Sequence, residues 1–344
     1  MIFFKKPLSL IIDNLVIVYN IHYSNEFIHI ISNGYFEEDK KTRSFILNFK
    51  VNNEYVDYIN EYKNCCHESI NIYKIENKWD RIKLTVVYKD IDYDFELNEN
   101  NFIPEKNDFI TLMTLFKSDY YLMPVYLKHY KNLGIKHFSF YFNYSFDDLL
   151  NLKDIGNIID DIKKDNGIEV FFNEWNFKYW IHHNNNFLSN AQSPAMADMF
   201  LKSKNQYKYI YFNDLDEFLF FKDTNIKSIS DLLDKHKDVD VIQFNMYWSD
   251  YRNESLEEDG SISFHNFSKD FDIKNFFIKD GIDKNKITNC SKMLLRTSNL
   301  GCGVHKEISV LHSNHGDIKP KYKRIVLDGF YHIFNLKEKK RIIK

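Results

Sequence analysis

The first hundred residues carry short apolar runs that are separated by turn-prone clusters. β-branched and aromatic side chains dominate these runs, which cover residues 15–19, 27–31, 44–49 and 81–88. The clusters Ser32-Asn33-Gly34 and Val51-Asn52-Asn53 are typical of turns between strands. Residues 1–104 are therefore predicted to form a small antiparallel β module, such as a sandwich. The acidic, asparagine-rich stretch 96–101 and the segment 104–107 mark the predicted linker.

Beyond the linker, apolar runs alternate with helical patterns. The predicted strands cover residues 109–116, 137–142, 168–172 and 207–212. Helices are predicted from Leu122 to Leu133, over residues 147–164, and after Ser193-Pro194, a pair typical of an N-cap followed by proline at the first helical position. This alternation indicates βαβ units, so residues 105–344 are predicted to form an α/β domain with a mostly parallel sheet. Further strand-like runs lie at 239–247, 287–296, 304–312 and 325–334.

Three acidic residues follow the predicted strand 207–212 directly. They are Asp214, Asp216 and Glu217, and ligands of parallel sheets bind beyond the carboxyl ends of the strands. Clustered carboxylates raise one another's pKa or recruit a cation, and oxygen ligands without a nearby cysteine favour Mg²⁺ or Mn²⁺. The alternative is a solvated turn whose acids cluster by chance. The preceding strand and the apolar run 218–221 favour a functional site.

The composition narrows the function classes. The chain has 344 residues and a net charge of −3, and no basic face is visible, so nucleic acid is not expected as a partner. Its cysteines lie at positions 65, 66, 290 and 302 without a Cys-x-x-Cys spacing, which favours a reducing, cytoplasmic location. Asp13 and Asn14 interrupt the apolar start, so neither a signal peptide nor a transmembrane segment is predicted. Peripheral membrane contact stays open.

Ordered motifs carry a resemblance to a known family. They are the segments 115–119, 121–134 and 141–147, the acidic motif 214–219, Ser291-Lys292 with Arg296, Val304-His305 and Tyr331-His332. Over roughly residues 109 to 335, this series resembles glycosyltransferase family 92 and its glycosyltransferase-2-like relatives. The resemblance implies a GT-A fold, the nucleotide-diphospho-sugar transferase fold, for the α/β domain. It also implies a metal-dependent, inverting glycosyltransferase of the hexosyltransferase type, with a UDP-sugar favoured as donor and a glycan or other hydroxyl as acceptor.

The sequence departs from the family pattern at three positions. Val125 and Tyr126 stand where the family has Glu-Trp, and Phe142 stands where it has Asp. If the missing acids help to hold the nucleotide, donor preference here differs from that of the family. The departures do not touch the acidic motif.

The donor is expected beyond the ends of the first two α/β strands. The candidate contacts there are Phe116, Lys117, Ser118, Asp119, Asn143 and Asp147. Ser118 and Asp147 suit helix N-caps equally well. Gln192 and Asp198 bracket the helix before the acidic motif and are expected to face the donor sugar. Lys292 and Arg296, four residues apart on a strand-like run, point to one face and suit the diphosphate; the alternative is two surface charges on an edge strand.

The resemblance also assigns roles at the metal. Asp216 would bind Mn²⁺ or Mg²⁺ directly, and Asp214 would contact the donor ribose, or the metal through water. Glu217 would brace the site. GT-A enzymes often add a C-terminal histidine to the metal ligands, although a lone histidine is more often structural. The candidate histidines are His305 and His332, followed by His312 and His315.

The catalytic base is predicted after the strand-like run 239–247. An inverting reaction needs one carboxylate within hydrogen-bond reach of the acceptor hydroxyl, and Asp250 is the first candidate, with Glu254 the second. Two other function classes fit the sequence less well. A catalytically inactive carbohydrate-binding or scaffold protein with the same fold would not need the clustered acids. A metal-dependent phosphohydrolase usually gathers ligands for two metals from many strand ends, and this sequence has one compact cluster.

Overall fold

The computed structural model describes residues 1–24, 27–33, 48–55, 60–63, 68–74, 81–98, 108–117, 119–183, 186–203, 206–251, 276–278, 291–296 and 324–333. Its strands are β1 (Ile2–Lys5), β2 (Leu10–Ile12), β3 (Leu15–Ser24), β4 (Phe27–Asn33), β5 (Asn48–Val51), β6 (Glu54–Tyr55), β7 (Asn60–Lys63), β8 (Glu68–Lys74), β9 (Arg81–Tyr88), β10 (Ile91–Asn98), β11 (Asp108–Phe116), β12 (His137–Phe142), β13 (Glu169–Glu174), β14 (Trp180–His183), β15 (Asn186–Asn190), β16 (Tyr207–Phe212), β17 (Glu217–Leu219), β18 (Val241–Tyr251), β19 (Phe276–Ile278), β20 (Ser291–Arg296) and β21 (Arg324–Ile333). Its α-helices are α1 (Met123–Asn132), α2 (Phe146–Leu150), α3 (Ile155–Lys164), α4 (Gln192–Ser203) and α5 (Ile229–Lys235), and a 3-10 turn at Tyr120–Leu122 precedes α1.

The N-terminal region contains two antiparallel sheets. One has the strand order β2-β3-β4-β8-β7 and the other β10-β9-β5-β6. Alternating apolar residues of both sheets, such as Ile28 and Ile30 on β4 and Leu84 and Val86 on β9, are buried in one shared core. The predicted antiparallel strands of the N-terminal region are therefore confirmed, and their two sheets share a core as in a sandwich.

The central sheet begins with five parallel strands in the order β1-β13-β12-β11-β16 and continues through β20, β18, β21 and β17. The α/β character and the parallel part of the sheet are as predicted. Strand β1 was not foreseen as part of it: Phe3 pairs with Phe171 at the edge of this sheet, so the first residues of the chain extend the α/β layer.

Both faces of the parallel sheet are covered. Tyr209 and Tyr211 of β16 lie in the core formed with α1, α3 and α5, whereas Ile210 and Phe212 lie in the core formed with α4 and the N-terminal sheets. This alternation follows from the two-residue period of a strand. Its consequence is that α4 lies between the parallel sheet and the N-terminal sheets.

Two helix predictions need correction. The predicted helix 147–164 is two helices, α2 and α3, because Asp154 adopts a left-handed conformation with φ of 63° at the start of α3. Helix α4 begins at Gln192, so Ser193 and Pro194 lie inside its first turn. Two predicted runs, 44–47 and 304–312, lie outside the described residues. Among the helices of the described ranges, none combines the length and apolar character that crossing a membrane requires.

Candidate functional site

The acidic turn, residues Asn213–Glu217, extends directly from β16. The amide of Asn213 donates to the carbonyl oxygen of Met113 at 3.0 Å, which continues the pairing with β11. The turn then closes on itself: Glu217 N donates to Asp214 O at 3.1 Å, and Asp214 N donates to Glu217 Oε2 at 2.9 Å. Glu217 therefore braces the backbone that carries Asp214. Asp214 is half-buried, while Asp216 and Glu217 are 3% and 2% exposed.

Buried side chains of helix α1 hold the backbone of the acidic turn and of β17 through hydrogen bonds. The hydroxyl of Tyr130 donates to the carbonyl oxygen of Glu217 at 3.0 Å and accepts from Leu219 N at 3.1 Å. The same hydroxyl accepts from the amide group of Asn213, which also donates to Glu217 O at 3.1 Å. His129 Nε2 donates to Leu219 O at 2.9 Å. The position of the acids is thus fixed by buried side chains of a helix almost ninety residues earlier in the chain.

Two buried titratable side chains of α1 next to the acidic turn, His129 and Tyr126, are uncharged at neutral pH. Burial lowers the pKa of His129 to about 4, against the opposing effect of its hydrogen bond to Leu219. Burial, with smaller contributions from Tyr130, Asp214 and Glu217, raises the pKa of Tyr126 well above its ordinary value. The histidine is therefore neutral and the phenol protonated at neutral pH, which leaves the negative charge of this region on the carboxylates.

The ends of β11, β12 and β16 bring several predicted donor contacts to one edge of the sheet. Phe116 pairs with Phe142, and Met113 pairs with Phe212, so the residues that follow these strands share that edge. Lys117 is exposed, with its ammonium 5.8 Å from the ring centroid of Tyr144. Asp119 is half-buried before the 3-10 turn.

Three other predicted donor contacts at this edge differ in how far they are buried and in what they contact. Phe116 is buried against Phe140 and Phe142, with ring centroids 6.1 and 6.4 Å away. Asn143 is 4% exposed and donates to the carbonyl oxygens of Trp175 and Phe177 at 2.8 and 2.6 Å. Asp147 is exposed in the first turn of α2.

The N-cap of α2 is Ser145 and not Asp147. The hydroxyl of Ser145 accepts from Asp148 N at 3.1 Å. The side chain of Asp147 is therefore not the cap of this helix, but it lies in the first turn, where an acidic residue also stabilises a helix.

Gln192 lies beside the acidic turn. Its Nε2 donates to Asp214 Oδ1 at 3.5 Å, and its Oε1 accepts from the hydroxyl of Tyr179 at 3.2 Å. The first residue of α4 thus contacts one of the two aspartates, and its predicted place at the donor sugar stays a prediction.

The backbone pairing of β17, β18 and β21 shows where two further candidates lie: the metal ligand His332 and the catalytic base Asp250. The Cα of His332 pairs with Glu217 on β17 and with Trp248 on β18, so this candidate ligand lies next to the strand that leaves the acidic turn. Asp250 lies two residues beyond Trp248 on β18 and pairs with Phe277.

The candidate cations Lys292 and Arg296 lie at different positions along β20, and therefore at different distances from the carboxyl end of β16. Arg296 pairs with Tyr209 in the middle of β16, and Leu294 pairs with Tyr211. Because β20 runs antiparallel to β16, Lys292 lies roughly 13 Å from Arg296, toward the end that carries the acids. Lys292 is thus the better placed of the two for a donor diphosphate.

Asp198 does not face an open donor site, contrary to prediction. It is fully buried, and both carboxylate oxygens are bonded within the protein. Oδ1 accepts from Asn20 Nδ2 at 2.5 Å and from His22 Nε2 at 2.6 Å, while Oδ2 accepts from the Tyr141 hydroxyl at 2.6 Å and pairs with Lys202 Nζ at 2.6 Å. Burial alone would raise the pKa of Asp198, but Lys202 and His22 hold it well below its usual range.

Some predicted residues lie outside the described part of the chain. They are Ser118, Glu254, His305, His312 and His315. Within the described ranges, no group of three or more His, Cys, Asp or Glu side chains is arranged to hold a metal ion. Asp214 and Asp216 form a two-carboxylate, hard-oxygen donor set, which fits an ion that is completed by substrate phosphates rather than enclosed by protein.

Comparison with known proteins gives one informative match. No curated protein sequence matches this chain. Among solved structures, a maltogenic amylase from S. marinus aligns with 36% of this chain and 23% of its own length, at 11% identity and a TM-score of 0.17. The chain thus spans under a quarter of that amylase, and the likeness carries no argument. The model of glycosyltransferase family 92 matches residues 112–327, more than half of the chain and the region that holds β11, α1 and the acidic turn. The chain belongs to glycosyltransferase family 92.

Proposed function

We propose that this protein transfers a sugar from a nucleotide-sugar donor, with a UDP-sugar favoured, to a glycan or another hydroxyl acceptor. Membership of the family implies glycosyltransferase activity. The observation that carries the finer proposal is the acidic turn itself. Asp214 and Asp216 follow the carboxyl end of a parallel strand, where ligands of such sheets bind, and Tyr130 and Glu217 hold that turn in place.

The described carboxylates suit a divalent cation. Asp216 would bind Mn²⁺ or Mg²⁺, Asp214 would share it or hold the ribose, and His332 or His305 would complete the protein ligands. Such a cation, when bound, stabilises the negative charge that develops on the departing nucleoside diphosphate. The backbone pairing of His332 with Glu217 supports His332 as the candidate within the described residues.

The chain's own residues would orient both substrates. Gln192 holds Asp214 through the 3.5 Å contact, and Lys292 lies on the β20 side of the acidic end, where it would attract the diphosphate. Asp250 would accept the proton of the acceptor hydroxyl as that oxygen attacks the sugar carbon from the face opposite the leaving diphosphate. This direct displacement inverts the configuration at that carbon.

An inactive binding protein with the same fold is the competing function. Its support was the departure from the family pattern at Val125, Tyr126 and Phe142. All three side chains are buried, at 1%, 0% and 0% exposure. These substitutions therefore alter core packing behind the site rather than a surface that would contact the donor, and the inactive alternative is weakened.

A donor screen tests the proposal. Thermal unfolding would be followed with UDP- and GDP-sugars, each with and without Mn²⁺, and donor hydrolysis and transfer would be measured in parallel. A donor at about 100 times its Kd adds roughly 2.7 kcal/mol to the free energy of unfolding. We expect that stabilisation only with Mn²⁺ and one class of nucleotide sugar.

Asp216→Asn is the test variant, because it removes a charge and keeps the size of the side chain. The matched control is Asp161→Asn, at an exposed position of α3. The Mn²⁺-dependent stabilisation is expected to vanish in Asp216→Asn and persist in the control. An unchanged response of Asp216→Asn would show that the metal site is wrongly placed, and metal-dependent binding without turnover would favour the binding-protein alternative.

A further inference from the structure

A cavity lies between α4, the N-terminal sheets and the edge of the parallel sheet, and no residue of the acidic turn lines it. Its volume is about 370 Å³, within the usual size range of small-molecule sites. Tyr207, the first residue of β16, lines it, whereas the acidic turn follows Phe212 at the other end of that strand. The other cavity residues of the sheet lie level with its carboxyl end: Ser139 and Phe212 both pair with Met113, and Lys5 pairs with Asn173 on the edge strand β1, four strands away from β16. Neighbouring strands lie about 4.8 Å apart, so roughly 19 Å of sheet separates Lys5 from β16 and the acidic turn.

The cavity collects cations from separate elements. Lys5 and Lys6 come from the first strand and the residue after it, and Lys202 comes from the last turn of α4. Lys6, 67% exposed, lies 3.6 Å from Glu174 and marks the open side of the cavity together with Phe4, which is 45% exposed. Such convergence of positive charge suits an anionic ligand.

Lys5 is the cation whose charge is least compensated. Within the described residues, no carboxylate forms an ion pair with it, and its ammonium lies 5.9 Å from the ring centroid of Phe171. Burial, followed by repulsion from Lys202, lowers the pKa of Lys5 to about 8, and the attraction of Asp198 offsets only part of this. An anion beside Lys5 would relieve both effects.

The carboxylate behind the cavity cannot serve as the missing partner. Asp198 is fully buried, and four protein groups already occupy its two oxygens. One of these is Lys202, whose ammonium also donates to Asn173 Oδ1 at 3.2 Å. Asp198 thus fixes the direction of Lys202 and offsets only part of the unfavourable setting of the half-buried Lys5.

The remaining lining suits the uncharged part of a small ligand. Ser139 and Asn173 supply polar atoms, and the rings of Phe171 and Tyr207 supply apolar faces. Lysine ammonium groups act as point charges and are common phosphate ligands in proteins. We propose that this cavity binds a small phosphorylated polyol, with its phosphate between Lys5 and Lys202 and its carbon skeleton against Phe171 and Tyr207. This inference does not rest on the transferase reaction.

Calorimetric titration of the full chain tests the site. The probes are glucose 6-phosphate and glycerol 3-phosphate, with glucose, glycerol, inorganic phosphate and citrate as comparisons. We expect the phosphate esters to bind at least tenfold more tightly than the neutral polyols and than citrate. Equal binding of the neutral polyols, tighter binding of citrate, or no binding of either ester would overturn the proposal. Inorganic phosphate binding as tightly as the esters would also overturn it, because the carbon skeleton would then have no site.

Lys5→Met is the variant, because it keeps the aliphatic length and Asp198 keeps its partners. Lys208→Met is the matched control, since Lys208 is the exposed neighbour of Tyr207 on β16. We expect ester affinity to fall at least tenfold in Lys5→Met and to stay unchanged in Lys208→Met, with thermal unfolding confirming that both variants fold. The same affinity in Lys5→Met, or the same loss in both variants, would show that the anion does not bind at Lys5.

Discussion

Tyr130 donates its hydroxyl proton to the carbonyl oxygen of Glu217 at 3.0 Å, across 87 positions of sequence. The hydroxyl oxygen of Tyr130 also accepts from Leu219 N, on the strand after the turn, and from the Asn213 amide. Three groups of the acidic turn and of that strand therefore meet at the Tyr130 hydroxyl. The backbone of the acidic turn is thus anchored to helix α1, and this anchoring defines the positions of Asp214 and Asp216.

Tyr130→Phe is expected to loosen the acidic turn. The change keeps the ring and removes the hydroxyl that accepts from the buried Leu219 amide and from the Asn213 side chain, whose remaining acceptor is Glu217 O. An unsatisfied buried group costs about 1–3 kcal/mol, and misplacement of catalytic groups by about 1 Å lowers rates up to about 100-fold. Urea denaturation and transfer rates would measure the two effects.

Tyr126→Phe is the matched control for Tyr130→Phe. Its ring lies 4.6 Å from that of Tyr130, and its buried hydroxyl makes no hydrogen bond of ordinary geometry within the described part of the chain. Removal of this hydroxyl should leave both stability and rate near those of the wild type. If the two variants behaved alike, the anchoring role of the Tyr130 hydroxyl would be wrong.

The sequence was sufficient for the main elements of the fold. Apolar periodicity located β11, β12, β16 and α1 within about one or two residues, because each buries a regular face. The break between α2 and α3 was missed, since a single left-handed residue at Asp154 interrupts an otherwise continuous helical pattern. The pairing of β1 with β13 was missed as well, because such a contact joins residues about 168 positions apart.

The candidate site was predicted only where local sequence determines the geometry. The acids stand next to one another in sequence and end a recognisable strand, so their cluster was visible. The roles of Tyr130 and Asp198 depend on partners from distant elements. A polar residue on an otherwise apolar helix face is a sequence signal that could have drawn attention to them, but it does not name the partner.

Asn143→Asp is expected to separate the end of β12 from the segment after β13. Asn143 donates two hydrogen bonds, to Trp175 O and Phe177 O, and an ionised aspartate has no proton to donate to either carbonyl. The free energy of unfolding should fall by at least about 2 kcal/mol. Asn157→Asp, on the exposed side of α3, is the control and should change it by less than about 0.5 kcal/mol. A small effect at both positions would show that these two bonds are dispensable.

The buried network around Asp198 is expected to weaken the protein in acid. The folded pKa lies below that of an unfolded aspartate, which is about 3.9. Stability from this group is therefore present above that pH and is lost as the pH falls toward the folded pKa. Asp198→Asn should remove this part of the acid slope and cost about 3–5 kcal/mol at pH 7, because Lys202 loses its partner.

Denaturation by urea at pH values from about 5 down to about 2 would measure the Asp198 effect, since this range spans the unfolded pKa. Tyr141→Phe is the companion variant, since it removes one hydrogen bond to Asp198 Oδ2 without changing the charge. Its cost should be near 1 kcal/mol, with the acid slope of the wild type retained. An Asp198→Asn variant with the full wild-type slope would place the acid sensitivity elsewhere.

The buried His129 is expected to make the free energy of unfolding depend on pH in a second range, between about pH 4 and 6.5. Its folded pKa of about 4 lies below the value of 6.5 for a free histidine, so the unfolded state binds more protons between these values. Stability therefore falls as the pH drops from 6.5 to 4, by about 3 kcal/mol for a shift of this size. His129→Gln keeps a donor for Leu219 O and has no proton to gain, so its curve should lack this fall. Lys128→Gln, exposed on the same helix, is the control and should keep the wild-type curve. If His129→Gln also kept it, His129 would not be the buried neutral group beneath the acidic turn.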